Sequence, residues 1–203
     1  MICGLILGLL AAPSEPVQLA EGASPDGRFE VVLEADVDTP RYQTYALKGG
    51  DEDFPAFLLL DARNGTPMIR VPWPGASDPS LPPLRNATAV LWRDDSRAVA
   101  INIREPHYWY TLLLVWDATT RSFASVELPS FTELSGRPAP NPEDLRARGV
   151  EEAESWTQAG HLVYYFGLSE LRRVDYPLTY RATLRVSPSG CQVVRSEAVS
   201  PDR

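Results

Sequence analysis

The chain has 203 residues, of which 44% are hydrophobic and 23% charged, and its formal net charge is −8. This length fits one domain or at most two small ones, with enough apolar residues for a sizeable core. The negative charge disfavours nucleic-acid binding, because phosphate backbones repel an acidic protein and the basic clusters "LRARG" and "LRRV" are interrupted by apolar residues.

The N-terminal segment carries an apolar run from Ile2 to Ala12 that turns polar at Pro13. The run is shorter than the roughly 20 apolar residues that span a bilayer, and it fits the apolar region of a secretory signal peptide. No Lys or Arg precedes it, and the alternative is an ordinary N-terminal strand or helix of the core. We predict a leader over residues 1–20, a single β-rich domain over 21–203, no transmembrane segment beyond the leader, and export to the periplasm or the medium.

Strand signals recur along the rest of the chain. The turn sequence Pro25-Asp26-Gly27 precedes an alternating, β-branched run, which is typical of a strand. Asn64-Gly65 lies between two apolar runs and predicts a hairpin, because both residues tolerate positive φ. The proline-rich stretch that follows cannot be a central strand. The predicted core strands are 28–36, 56–61, 97–103, 111–117, 161–167 and 179–186.

The run "TLLLVWDATT" is apolar at both alternating sets of positions until Asp117. Successive side chains of a strand point to opposite faces, so Leu113 and Leu114 are predicted to be buried on opposite sides. We therefore predict a central strand here, covered on both faces. The run "FASVELP" is apolar mainly on one face, which predicts a strand nearer an edge, with Glu127 at the surface.

One segment between the later strands has the features of a helix start. Asn141 can cap it, Pro142 suits the first helical position, and Glu143 and Asp144 favour the positive end of the helix dipole. The sequence therefore predicts one short helix inserted near 142–154.

The chain repeats one pattern three times, imperfectly and about 60 to 70 residues apart. Each round of the pattern consists of a turn, a strand, a connection, a second strand, another turn and a polar strand. The sequence "SPDGRFEVVL" resembles the blade-opening turn of TolB-type and WD40-like β-propellers. "VLWRDDSRAVAI" is similar, with Asp95-Ser96 in place of Asp-Gly, and "LLLDARNG" and "LLVWDATT" resemble a later blade strand. The third round has no "SPDG" at the expected place.

The resemblance covers about a third of the chain and implies blade-like repeats, whereas closed propellers typically have at least four blades. The predicted fold class is therefore all-β, an antiparallel meander of three blade-like repeats. It forms a partial propeller, or alternatively a barrel or sandwich.

Motifs of catalysis and cofactor binding are missing: there is no Walker loop, GxGxxG, HExxH, GxSxG or CxxC. Once the leader is removed Cys191 is alone, and it is interpreted as a small buried apolar residue. His161 begins a strand and is interpreted as an edge or core residue. His107 needs a partner such as Glu105 for proton transfer. We predict no catalytic residue, no metal and no cofactor.

Aromatic residues near proline-rich or turn-rich loops form the candidate binding surface, because these residue types are enriched in binding hot spots. The alternative is that they cap the ends of the core. The predicted function is non-catalytic binding of a protein, small molecule or other ligand by an exported protein. The alternative is a small hydrolase with a carboxylate-assisted or histidine-assisted site. The candidate binding residues are Trp73, His107, Tyr108, Trp109 and Tyr110.

Overall fold

The computed structural model of the chain describes residues 16–34, 56–72, 88–104, 109–138, 148–169 and 179–199. Most of these residues lie in β-strands, which confirms the all-β fold class. The predicted core strands are present, with ends shifted by a few residues. The elements are β1 (Val17–Ala23), β2 (Phe29–Leu33), β3 (Ala56–Asp61), β4 (Thr66–Pro72), β5 (Thr88–Trp92), β6 (Ala98–Arg104), β7 (Trp109–Asp117), β8 (Ser122–Val126), α1 (Phe131–Ser135), β9 (Arg148–Trp156), β10 (Leu162–Ser169), β11 (Thr179–Ser187) and β12 (Gly190–Ala198).

The twelve described strands fall into three antiparallel units of four. Unit 1 (β1–β4) is a sheet of its own, with each strand paired to the next. Unit 2 (β5–β8) and unit 3 (β9–β12) follow the same order. They belong to one eight-stranded sheet because β7 and β9 share a single parallel bridge, Trp109 to Val150.

The helix lies elsewhere than predicted. Residues 148–154, which were predicted to be helical, belong to β9 and pair with β10. Residues 142–147 lie outside the described residues. The helix α1 comes earlier in the chain. It starts at a capping box formed by Ser130 and Glu133, and its apolar residues Phe131 and Leu134 are buried. Such a short helix has too few residues to show helical periodicity, and its stability comes from packing.

The same turn opens the second strand of every unit. Gly27, Ser96 and Gly160 have φ of 68°, 58° and 75°, and each donates its N–H to a carbonyl three residues earlier. The hairpin predicted at Asn64-Gly65 is also present, with Gly65 at φ 68°. The third round thus keeps the backbone geometry of the first two although its sequence lacks "SPDG".

An indole hydrogen bond ties each later unit to the one before it. Trp92, the last residue of β5, donates Nε1–H to the carbonyl of Gly22 in β1 at 2.9 Å. Trp156, the last residue of β9, donates in the same way to the carbonyl of Leu91 in β5 at 3.0 Å. The first strands of the three units therefore lie side by side in series.

Unit 2 is the middle layer of the protein. Leu113 and Leu114 are each 1% exposed but belong to two different apolar clusters. This confirms that β7 is covered on both faces. Between units 1 and 2 lie Phe29, Val31, Leu33, Phe57, Leu59, Val90, Val99, Ile101, Ile103, Leu114 and Phe123. Between units 2 and 3 lie Ala98, Ala100, Leu113, Val115, Val126, Ala153, Leu162, Tyr164, Phe166, Tyr180, Ala182, Leu184 and Val186, with Phe131 and Leu134 of α1.

The strand β8 lies at an edge, as predicted. Among the described residues it pairs only with β7, over Leu113 to Asp117. Glu127, directly after it, is exposed. The edge position agrees with the one-sided apolar pattern of "FASVELP".

The far face of unit 3 is polar where the corresponding face of unit 2 is apolar. The register pairs Val99 with Leu114 in unit 2, and it pairs Leu162 with Leu184 in unit 3. Leu184 therefore corresponds to Leu114. The residues on either side of it, Thr183 and Arg185, correspond to Leu113 and Val115. The two unit 2 residues are buried, whereas Thr183 is half-buried and Arg185 exposed. A polar outer face is characteristic of a terminal, capping repeat.

The predicted leader lies mostly outside the described residues, which begin at residue 16. The boundary drawn at residue 20 falls inside β1, where Val17 and Gln18 pair with Leu33 and Val32 of β2. Residues 17–20 thus belong to the sheet of unit 1, and a leader over the earlier residues stays a prediction.

Candidate functional site

The two ends of the sheets differ in the connections they carry. At one end, called the turn end, short turns join the first strand of each unit to the second and the third to the fourth. The other end is called the loop end. There the chain connects the second strand of each unit to the third, and the fourth strand to the first strand of the next unit. These connections are residues 34–55, 73–87, 105–108, 127–147 and 170–178. All long connections between described strands therefore leave from one end.

Aspartates stabilise four turns of the turn end in the same way. In each, a carboxylate oxygen accepts the backbone N–H two residues later, at 2.8 to 3.0 Å. The Arg63 side chain and N–H lower the pKa of Asp61 to about 2. Burial raises the pKa of Asp26, but hydrogen bonds from Arg28 outweigh it and the pKa falls to about 2. The four residues are Asp26, Asp61, Asp95 and Asp117.

Asp95 shows how such a carboxylate holds its turn. Asp95 accepts from the N–H of Arg97 at 3.0 Å, and both its oxygens accept from Arg93 at 2.8 Å. Asp94 is exposed. The carboxylates of the turns thus mainly hold backbone in place.

The structure describes two of the five predicted binding residues, and both lie at the loop end. Trp73, His107 and Tyr108 lie outside the described residues, while Trp109 and Tyr110 begin β7. Both described residues are half-buried, and consecutive residues of a strand face opposite sides. Tyr110 packs against the cluster between units 1 and 2.

Trp109 contributes to the junction between units 2 and 3. The guanidinium of Arg104 lies over its ring, 4.7 Å from the centroid, and forms an ion pair with Glu152 of β9. Trp109 also provides the backbone bridge to Val150. Its surroundings combine an aromatic ring and an arginine at the surface, the residue types enriched in binding hot spots.

A buried polar cluster, which sequence reasoning missed, fastens β9 to unit 2. Asn102 donates to the carbonyl of Ala153 at 2.7 Å and accepts the N–H of the same residue at 2.9 Å. The hydroxyl of Thr111 lies 2.8 Å from the Asn102 Oδ1 and 3.0 Å from the carbonyl oxygen of Glu151. Asn102 therefore satisfies the backbone of β9 as a neighbouring strand would. The one available signal is an asparagine within the apolar run "AVAINI".

Glu151 is a partly buried carboxyl at the same junction. Burial raises its pKa, and the Tyr164 hydroxyl partly offsets that rise. Tyr164 is itself fully buried, and its hydroxyl lies near the Glu151 carboxyl without reaching hydrogen-bond geometry. Burial, followed by the charge of Glu151, raises the pKa of Tyr164. An ionised Glu151 is therefore costly for the folded state.

Cys191, on β12, is a free and half-buried thiol that packs against the cluster between units 2 and 3. Burial, with a smaller contribution from the charge of Glu133, raises its pKa to about 11. The thiol is therefore protonated at neutral pH, which is unfavourable for a nucleophile. Cys191 was interpreted as a small buried apolar residue; it does pack against apolar residues, but it is only half-buried.

A polar cleft of about 520 Å³ lies at the turn end between units 2 and 3. Its walls come from the β5–β6 turn, the β9–β10 turn and the end of β11, and include Arg93, Asp94, His161 and Arg185. Arg93 is held in place by Asp95 and by the ring of Trp156, whose centroid lies 5.7 Å from the guanidinium. His161, predicted to be an edge or core residue, is half-buried beside this cleft.

Within the described ranges, no group of three or more His, Cys, Asp or Glu residues is placed to hold a metal ion. The same residues contain no helix with the length and apolar character needed to cross a membrane. Comparison of the chain with protein-family models, with curated proteins and with solved structures gives no significant match.

Proposed function

We propose that the chain is an exported, non-catalytic protein that binds a protein or another ligand through its loop end. The observation that carries this proposal is the difference between the two ends of the sheets. Long connections leave from the loop end, whereas the turn end carries short turns. Binding residues concentrate on loops that a rigid scaffold positions.

The scaffold supports this assignment. Unit 2 is packed on both faces, and indole hydrogen bonds tie the units in series. Three units of this kind correspond to three propeller-type blades, and we propose an open, partial propeller. The polar far face of unit 3 fits the end of such a series, since a further unit would pack against Thr183 and Arg185 there.

The side chains of Trp109 and Arg104 support the location of the site. They lie at the loop end, where β6 leaves for and β7 returns from residues 105–108. That connection contains His107 and Tyr108, and Trp73 directly follows β4 at the same end. The described candidates Trp109 and Tyr110 therefore lie at the end of the sheets from which the long connections leave.

The roles of the described polar groups support a non-catalytic function. The turn aspartates bind backbone N–H groups, Asn102 and Thr111 hold β9, and Cys191 is protonated at neutral pH. These interactions account for the lowered pKa values of the turn aspartates and for the burial of Asn102 and Thr111 by structure alone.

Export is supported by the apolar run at residues 2–12, which fits a secretory leader. Intact mass spectrometry of the protein isolated from its native host tests it. We expect to recover the protein from the envelope or the medium, with its first residues removed. Recovery from the cytoplasm with Met1 still present contradicts export.

Affinity capture from the envelope fraction, read by mass spectrometry, tests the binding function. The loop-end variants are Trp73→Ala, His107→Ala and Tyr108→Ala. The matched controls at the turn end are Gln158→Ala and Pro188→Ala, since both residues are exposed. Circular dichroism and melting temperature show that every variant is folded.

We expect the native protein and the turn-end variants to retain the same partners, and the loop-end variants to lose them. Retention of an unchanged set of partners by all three loop-end variants overturns the location. Loss of the partners from the turn-end variants instead places the binding surface at the other end.

A further inference from the structure

We propose that two copies of the chain associate through β8, whose free edges pair antiparallel about a two-fold axis at Ala124. The proposal is independent of the loop-end binding function. Within the described part of the chain β8 pairs with β7 alone, so the N–H and C=O groups along its other edge have no strand partner. Such an edge is a template for a strand of another chain.

The outer strands of the three units differ in how their edges are protected. Strand β4 contains Pro67 and Pro72, and proline cannot donate a backbone hydrogen bond. Strand β12 carries the charged residues Arg195 and Glu197 and has a bulge opposite β11. Strand β8, Ser122–Val126, contains no proline and no charged residue, and its register with β7 is regular. Proline, charges and bulges are the usual means of preventing edge pairing, so β8 is the edge best suited to pair.

The charges that flank β8 are self-complementary. Arg121 lies three residues before Ala124, and Glu127 lies three residues after it. When two identical strands pair antiparallel about Ala124, Arg121 of each copy comes opposite Glu127 of the other. Opposed residues of opposite charge stabilise an antiparallel pair, and this pairing contains two such contacts.

Both flanking side chains are available to a second copy. Arg121 and Glu127 are exposed. Neither takes part in an ion pair among the residues that the structure describes. Their opposite charges therefore have no competing partner there.

The side chains between these charges allow the two strands to approach. Ala124 meets its own counterpart on the axis. Ser122 comes opposite Val126, and the next pair is Phe123 with Ser125. Ser122, Ala124 and Ser125 are small, while Phe123 and Val126 are buried in the apolar clusters of their own copy. A two-fold pairing uses the β8 edge of both copies, so the assembly closes at two.

Sedimentation velocity of the full chain at concentrations up to about 1 mM tests the association. A contact made by one five-residue strand is small. We therefore expect monomers at low concentration and dimers at high concentration, with full reversal on dilution.

Disulfide linkage tests the position of the axis. The chain has two cysteines, so Cys3→Ser and Cys191→Ser remove the other thiols. Adding Ala124→Cys should give a disulfide-linked dimer on oxidation, because directly opposed residues have Cβ atoms about 4.5–5.5 Å apart. Adding Glu197→Cys instead, at an exposed position on the edge of β12, should give linkage far more slowly.

Charge reversal tests the flanking contacts. Glu127→Arg turns both attractive pairs into repulsive ones, and we expect it to weaken association at least about tenfold. Glu197→Arg, the matched control on β12, changes the net charge by the same amount and should not weaken association. The double variant Arg121→Glu with Glu127→Arg restores opposite charges and should recover the native affinity.

Four results overturn the proposal. The first is a monomer at every concentration up to about 1 mM. The second is equal association of the native protein and Glu127→Arg. The third is failure of the double variant to recover what Glu127→Arg loses. The fourth is linkage of Ala124→Cys no faster than that of Glu197→Cys. Circular dichroism and melting temperature of each variant ensure that a lost dimer does not reflect unfolding.

Discussion

Replacing Leu113 or Leu114 by alanine tests the middle position of unit 2. Each leucine is 1% exposed, and the two lie in clusters on opposite faces of β7. Truncation of a buried leucine removes apolar contacts and leaves a cavity, so each variant should lose about 2–5 kcal/mol of unfolding free energy. Glu127→Ala, at an exposed position after β8, should change it by less than about 0.5 kcal/mol.

Urea melts of the three variants measure these free energies, with equal slopes showing that the folded and unfolded states are comparable. If one leucine variant is as stable as the native protein, β7 has a face exposed to water. That result refutes the packing of unit 2 between units 1 and 3.

Trp92→Phe should lose about 1 kcal/mol, because the ring is largely kept while the hydrogen bond to Gly22 is lost; thermal melts measure it. Glu151→Gln should stabilise the protein at pH 7 and change it little at pH 3. Burial raises the pKa of Glu151, so the folded state favours the protonated carboxyl. The stability that this gives at low pH is lost as the pH rises through that pKa. Urea melts at both pH values measure the difference. Hydrogen bonds from Arg63 lower the pKa of Asp61 from 3.8 to about 2, so their stabilisation, present above pH 3.8, should disappear as the pH falls through 2. Asp61→Asn should therefore weaken the pH dependence of melts between pH 4 and pH 2.

Period-two patterns made most of the fold predictable. Strand β7 was predicted to be central because the residues on both of its faces are apolar. Strand β8 was predicted to lie at an edge because the apolar residues fall mainly on one face. The turns were predictable because Gly27 and Gly65 adopt positive φ, which glycine does at no steric cost. Ser96 is the informative exception, since a serine adopts φ 58° within a turn that Asp95 stabilises.

The helix prediction was wrong over 148–154 because the pattern Asn141-Pro142-Glu143 reports only local preferences. In β9, pairing with β10 and the hydrogen bonds from Asn102 outweigh them. The Asn102 cluster itself could not be predicted, because its partners are separated by some fifty residues of chain.

The candidate site was predictable only in part. Aromatic composition pointed to Trp109 and Tyr110, but only the structure shows that these neighbours lie on opposite faces and contribute to different junctions.

Amide hydrogen exchange of the native protein tests the central claim, that unit 2 is the middle layer on which units 1 and 3 pack. We predict the slowest exchange in β6 and β7, whose residues are buried on both faces, and faster exchange in the outer strands β4 and β12. Equal or greater protection of β12 than of β6 and β7 contradicts the account.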